Sequence, residues 1–171
     1  MAIAFAAIGA GVALDQWTKS WAAARLPSGA IDVVPNAFRL EYVENRNAAF
    51  GLFGFLPDNV KAPVLLGLTS VLTVFLVIAM VRSTDLASQV GFAATVSGAL
   101  GNIVDRIWLH YVRDFILLWH GSFRWPNFNV ADSLVCIGVG VLVVLGGRAD
   151  AKKKKEEAEK KKAEGAAAAK S

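Results

Sequence analysis

The chemistry available to this chain has to come from carboxylates. There is no HExxH, no glycine-rich phosphate loop, and the two histidines, His110 and His120, have no evident Ser or Cys partner and are expected at the surface. The single cysteine, Cys136, lies in an apolar run without a second Cys or a nearby His, which predicts a small buried hydrophobe rather than a zinc or redox site. Asp114 and Asp132 are the informative pair, 18 positions apart in Val112-Arg113-Asp114-Phe115 and Phe128-Asn129-Val130-Ala131-Asp132. Two close carboxylates do not both ionise easily and come to share a proton. One can then act as a base on water while the other protonates or hydrogen-bonds a scissile carbonyl. That is aspartic-protease chemistry. In a soluble chain the same two residues would read more simply as helix caps.

The elements that must bring them together are written in apolar runs. A membrane-spanning helix needs about 20 mostly apolar residues. The sequence predicts four, over about 2–24, 61–81, 86–106 and 128–147. The first has no basic leader and runs into Asp15 and Lys19, so it reads as a retained helix rather than a cleaved signal. Arg82 and the lysines of the tail put both termini in the cytoplasm, with 25–60 and 107–127 outside. With antiparallel neighbours, the end of the third helix and the start of the fourth meet at the outer face, and Asp114 can meet Asp132 there.

Charges inside such helices are costly and are functional candidates by default. Asp15 and Lys19, four apart with the acid first, form either a structural pair or part of a binding site. Gly98, Asn102 and Arg106 share one face of the third helix, where Gly allows close approach and Asn bonds across helices. Asp105 is expected to be structural, paired with Arg106 or Arg113. Small residues nearby (Gly91, Ala93, Ala94, Ser97, Gly98) would leave room for an apolar chain between helices.

Outside the helices, Phe38, Leu40 and Tyr42 alternate with Arg39, Glu41 and Val43, which predicts a strand with one apolar face within 31–45. Phe50–Leu56 could dip into the membrane interface, and the aromatics of Phe115–Trp125 read as interface anchors.

Taken in order, these stretches resemble signal peptidase II, the bacterial lipoprotein signal peptidase. Asp15-Gln16-x-x-Lys19, Asn45-Arg46-Asn47-Ala48-Ala49-Phe50 and Gly98-Ala99-Leu100-Gly101-Asn102-Ile103-Val104-Asp105-Arg106 resemble three family motifs, and the two Asp motifs complete the set. Asn47 stands where the family usually has Gly, and Asn tolerates a left-handed backbone. The resemblance implies an all-α membrane protein, a bundle of four transmembrane helices with a small β-sheet on the outer face. It implies a metal-free, cofactor-free aspartic endopeptidase of the inner membrane, working as a monomer and inhibited by globomycin-type peptides. Its substrate would be a prolipoprotein whose lipobox Cys carries diacylglycerol, cut just before that Cys. Asp114 and Asp132 would be the dyad, with Asp15, Lys19, Asn45, Gly98, Asn102, Arg106, Asn129 and Ala131 shaping the site. Two alternatives use the same residues: a small proton or ion pathway, and a structural membrane adaptor.

Charge supports the division into a domain, 1–147, and a tail, 148–171. The chain has 18 basic and 14 acidic residues; removing the tail's 9 and 5 leaves 9 of each in the body. That is about 12% charged residues against about 25% in soluble domains. The neutral body argues against nucleic acid as a partner. The Lys/Glu/Ala tail reads as a solvated cytoplasmic extension, or one that touches anionic lipid.

Overall fold

The computed structural model describes residues 1–47 and 55–148. Among them are four helices, α1 (Ala2–Arg25), α2 (Asp58–Arg82), α3 (Leu86–Leu109) and α4 (Val130–Arg148). A four-stranded antiparallel sheet, β1 (Ile31–Val34), β2 (Phe38–Asn45), β3 (Val112–His120) and β4 (Phe123–Arg124), runs in the order β1-β2-β3-β4. The chain is thus mostly helical with a small sheet. The expected Phe50–Leu56 segment falls largely, and the tail from residue 149 wholly, outside the described residues.

Helix ends follow local chemistry. Asp85 caps α3 by accepting the Ser88 N–H at 2.7 Å, and His110 closes it in the left-handed conformation (φ 64°). The β1–β2 turn uses Asn36 (φ 60°) and the β3–β4 turn Gly121 (φ 58°), where an L side chain with a branched Cβ would be strained. β2 and β3 pair from Phe38↔Leu118 to Asn45↔Val112, with the register shifting between Leu40 and Val43. Phe128 then joins the free side of β3 through backbone bonds with Ile116 and Phe115 of 2.9–3.1 Å. That bridge delivers the start of α4 to the strand that carries Asp114.

α3 packs against α1 and α2, and its small residues let α4 close in. A Cβ on Gly98 would run into the Ala131 carbonyl, and one on Gly138 into the Gly91 carbonyl and Thr95. Gly91 and Gly98 therefore serve close helix packing, while Ala93, Ala94 and Ser97 line a smaller, mostly apolar cavity of about 170 Å³ between α1 and α3; none of the five lines the main cavity. Ala4, Ile8, Met80, Ala93 and Val96 form one apolar cluster among α1, α2 and α3; Ala22, Leu26 and Phe115 form another that seats the sheet on α1, with Leu40 and Tyr42 packed against it.

The distribution of polarity is inverted relative to a soluble domain. Asp15 and Lys19 are completely buried, while Val71, Phe75 and Val143 are each 68% exposed. Outward apolar helices with charges inside suit a lipid surrounding. Among the described residues, α2 (Asn59–Arg82) and α4 are long and apolar enough to cross a membrane.

Candidate active site

The site grows from the first turn of α4. Asn129 caps the helix: its Oδ1 accepts the Asp132 N–H at 2.9 Å, and Asp132 Oδ2 accepts the Asn129 N–H at 3.2 Å. This is a reciprocal capping box, with Asp in the third helical position. The helix-cap reading of Asp132 and its catalytic reading are therefore compatible. A third orphan donor, the Ala131 N–H, goes to Asp15 Oδ1 at 2.9 Å.

Asp114 projects from β3 and is 1% exposed. Its Oδ1 accepts from Asn129 Nδ2 at 2.7 Å and its Oδ2 from Asn45 Nδ2 at 2.8 Å. Asp132 Oδ1 accepts from Asn102 Nδ2 at 2.8 Å. Each of these amides has a fixed direction, because each oxygen faces a group that can only donate. Asn45 Oδ1 meets the Asn47 N–H (2.9 Å), Asn102 Oδ1 meets the Lys19 ammonium (2.9 Å), and Asn129 Oδ1 meets the Asp132 N–H. The NH2 groups must then point at the carboxylates. Asn129 touches both acids and joins them. Burial, and next the charge of Asp132, push the Asp114 carboxyl up to about 7, against the amides of Asn45 and Asn129, which favour the ionised form.

Behind the pair lies a buried ionic network. Lys19 Nζ is 2.8 Å from Asp15 Oδ2 and 3.5 Å from Asp105 Oδ2. Arg113 holds Asp105 with its side chain (Nη2 to Oδ1, 2.7 Å) and with its backbone N–H (2.9 Å). Gln16 ties the layer together, donating to Asp105 Oδ1 and the Gly101 carbonyl and accepting from Arg113 at 2.8 Å. Two acids and two bases balance. Asp15 and Lys19 pair with each other and Lys19 with Asp105, and neither lines the main cavity.

That cavity, of about 960 Å³, opens in front of the acids. Asn45, Asn102, Arg106, Asp114 and Asp132 form its polar wall; Trp125, Phe128, Val135 and Ile137 form apolar wall. Cys136 also lines it and is exposed, contrary to the buried position expected, because it sits one helical turn below Asp132 on the same face of α4.

The model of a protein family described as signal peptidase (SPase) II matches residues 7–146. The chain belongs to the signal peptidase II family. The lipoprotein signal peptidase of Clostridium novyi is 40% identical over 136 residues, covering 78% of this chain and 90% of that protein. That of Oleidesulfovibrio alaskensis is 39% identical over 131 residues, covering 74% and 83%. A solved bacterial membrane enzyme superposes with a TM-score of 0.79 at 26% identity, covering 90% of this chain and 92% of that one. Signal peptidase II is an aspartic peptidase and a membrane protein, which agrees with the outward apolar helices.

The ten residues named for the site in the sequence all fall in this region. Gly98 and Ala131 do so as packing, backbone against backbone, and the others as side chains. Asp105 pairs with Arg113, as one of the two expected options had it. Two further expectations change. Asn47 is not in the left-handed region; the positive-φ non-glycine residues described are Asn36 and His110. Its backbone N–H instead closes an Asx turn by donating to Asn45 Oδ1. Phe115–Trp125, read in the sequence only as interface anchors, contains most of β3 and all of β4. Gln16 and Arg113 carry more of the network than the sequence suggested. Gln16 lies one position from Asp15 and Arg113 one from Asp114, and that adjacency was the available signal.

Proposed function

We propose that this chain is a membrane aspartic endopeptidase that removes the signal peptide from diacylglyceryl-modified prolipoproteins, cutting just before the lipidated Cys. The observation that carries the reading is Asn129 bonded to both Asp114 and Asp132 at the wall of a large, partly apolar cavity. The pair shares one proton. The ionised member takes a proton from water as the oxygen attacks the scissile carbonyl, and the protonated member gives its proton to the carbonyl oxygen. The tetrahedral intermediate then collapses. A proton passes to the departing amide nitrogen, the C–N bond breaks, and one proton is again left on the pair. Asn102 and Arg106 hold the cleavage segment, and the acyl chains lie along the apolar wall of α4.

The domain is 1–147, with α1 and α3 as well as α2 and α4 crossing the bacterial inner membrane. Both termini and the tail face the cytoplasm, and the sheet and acids face outward. The chain works as a monomer, needs no metal or cofactor, and is blocked by globomycin-type peptides.

The test is processing of a lipid-modified prolipoprotein by purified protein in detergent. Asp114→Asn and Asp132→Asn are each expected to abolish it, and the unlipidated precursor to remain uncut. Processing by either variant would sink the dyad. Altered proton flux in liposomes without processing would favour the ion pathway.

A further inference from the structure

Residues outside the acids and their amides also bear on the site. β2 ends at Asn45, and α2 begins at Asp58. Among the described residues, a side chain of α2 reaches back across that gap. Lys61, in the first turn of α2 and 6% exposed, donates from Nζ to Asn47 Oδ1 at 2.8 Å. The Asn47 backbone N–H donates to Asn45 Oδ1 at 2.9 Å, and Asn45 Nδ2 donates to Asp114 Oδ2 at 2.8 Å. The intervening Arg46 turns away, to Glu44 at 2.9 Å and over the Tyr111 ring.

We infer that Lys61 and Asn47 are positioning residues that lock the Asn45 carboxamide with its NH2 toward Asp114. The inference rests on the reading of Asp114 and Asp132 as the catalytic pair. A buried ammonium is held by its hydrogen bonds, so it is a fixed post rather than a mobile surface lysine. The Asn47 side chain bound to it anchors the backbone whose N–H fixes Asn45. Without the anchor the Asn45 amide is free to rotate, and its oxygen can turn to Asp114. An oxygen in that place repels a carboxylate and favours a protonated one. A glycine at position 47, the residue usual in the family pattern, would keep the N–H but offer Lys61 no side-chain acceptor. This chain therefore has a tether between α2 and the acid that a glycine would not provide.

The test is a double-mutant cycle on the full chain in detergent, reading the pH dependence of kcat on a lipidated prolipoprotein. Asp132 from α4, Arg106 from α3 and Lys19 from α1 also act on Asp114, and all stay in place. Lys61→Met and Asn47→Gly are each expected to move the alkaline limb up by about half a pH unit, by weakening one charge-assisted bond. Each should lower neutral kcat about 3- to 10-fold with KM within about twofold, as expected for an effect on transition-state stabilisation rather than binding. The double variant should be no worse than the worse single, because the two act in series. Lys61→Arg should recover part of the loss. A fold-only role would reduce the active fraction and leave the limb where it is; that result, or additive losses in the double variant, overturns the inference. If Lys61→Met does not fold, Asn47→Gly carries the test with the lysine intact. Activity in Asp114→Asn would sink the underlying reading instead. Inactive Asp variants with an unmoved limb would sink this inference alone.

Discussion

Lys19 offers the sharpest perturbation of the buried network. It is fully buried, with Nζ 2.8 Å from Asp15, 3.5 Å from Asp105 and 2.9 Å from Asn102 Oδ1. Lys19→Met fills much of the same space but removes the charge. Arg113 still holds Asp105, so Asp15 is left as the uncompensated buried acid. Breaking a buried pair from one side costs about 3–5 kcal/mol. At about 2–4 °C per kcal/mol for a domain of this size, the midpoint falls by roughly 6–20 °C. Adding Asp15→Asn removes the stranded charge and leaves an amide oxygen for the Ala131 N–H, so most of the stability should return. Activity should not return with it. Asn102 has lost the ammonium and keeps only the longer, 3.2 Å bond from Asn129 Nδ2 on its oxygen, so its NH2 is held less firmly toward Asp132. We expect processing by Lys19→Met to fall about 10- to 100-fold, the equivalent of about 1.4–2.7 kcal/mol, and to remain above that of either Asp→Asn variant. Thermal unfolding in detergent and processing below the midpoint check the two halves separately. A double variant as unstable as the single refutes the charge argument. A double variant that regains full activity refutes the pinning of Asn102.

Other outcomes follow from the same geometry. Asn129→Ser keeps a good helix cap, but Asn129 is fully buried and its Nδ2 also serves Asn102 Oδ1 and the Arg113 carbonyl, so stability should fall by about 1–3 kcal/mol. It withdraws one amide from Asp114, whose carboxyl sits at about 7. That amide favours the ionised form, so its loss raises the carboxyl further; at about 1.5–3 kcal/mol for a bond to a charged group, the alkaline limb of kcat should rise by about 1–2 units. An unchanged or lowered limb would contradict this. Gly98→Ala drives a Cβ into the Ala131 carbonyl and should cost about 1–3 kcal/mol while parting Asp132 from Asn102. Normal melting and normal processing of that variant would mean that α3 and α4 yield more than close packing allows.

The helices were legible because an apolar run of spanning length leaves little choice: 86–106 was expected and α3 covers Leu86–Leu109. The alternation at Phe38–Val43 announced β2, but one strand was expected within 31–45 where the chain forms the two strands of a hairpin, β1 and β2. β3 was missed as a strand, since its partner β2 is far away in sequence and its run Phe115-Ile116-Leu117-Leu118-Trp119 has no period of two. The meeting of Asp114 with Asp132 followed from antiparallel helices. The amides that orient them are a different matter. Asn45 reaches Asp114 across 69 positions, and the direction of its carboxamide is decided by an N–H two residues on. No local pattern encodes that. It emerges only when β2, β3 and α4 are side by side. The same holds for Arg113, whose hold on Asp105 and Gln16 depends on where β3 crosses the ends of α1 and α3.

Cys136 has a practical consequence. It is the sole cysteine of the chain, and it is exposed in the cavity wall one turn below Asp132. A fluorophore or spin label reacted with the native protein would attach there and nowhere else, with no background thiols to remove. Such a label would sit on the wall proposed above for the acyl chains. Occupancy of the cavity could then be followed in real time, in the Asp114→Asn protein, expected to be inactive, as readily as in the native one.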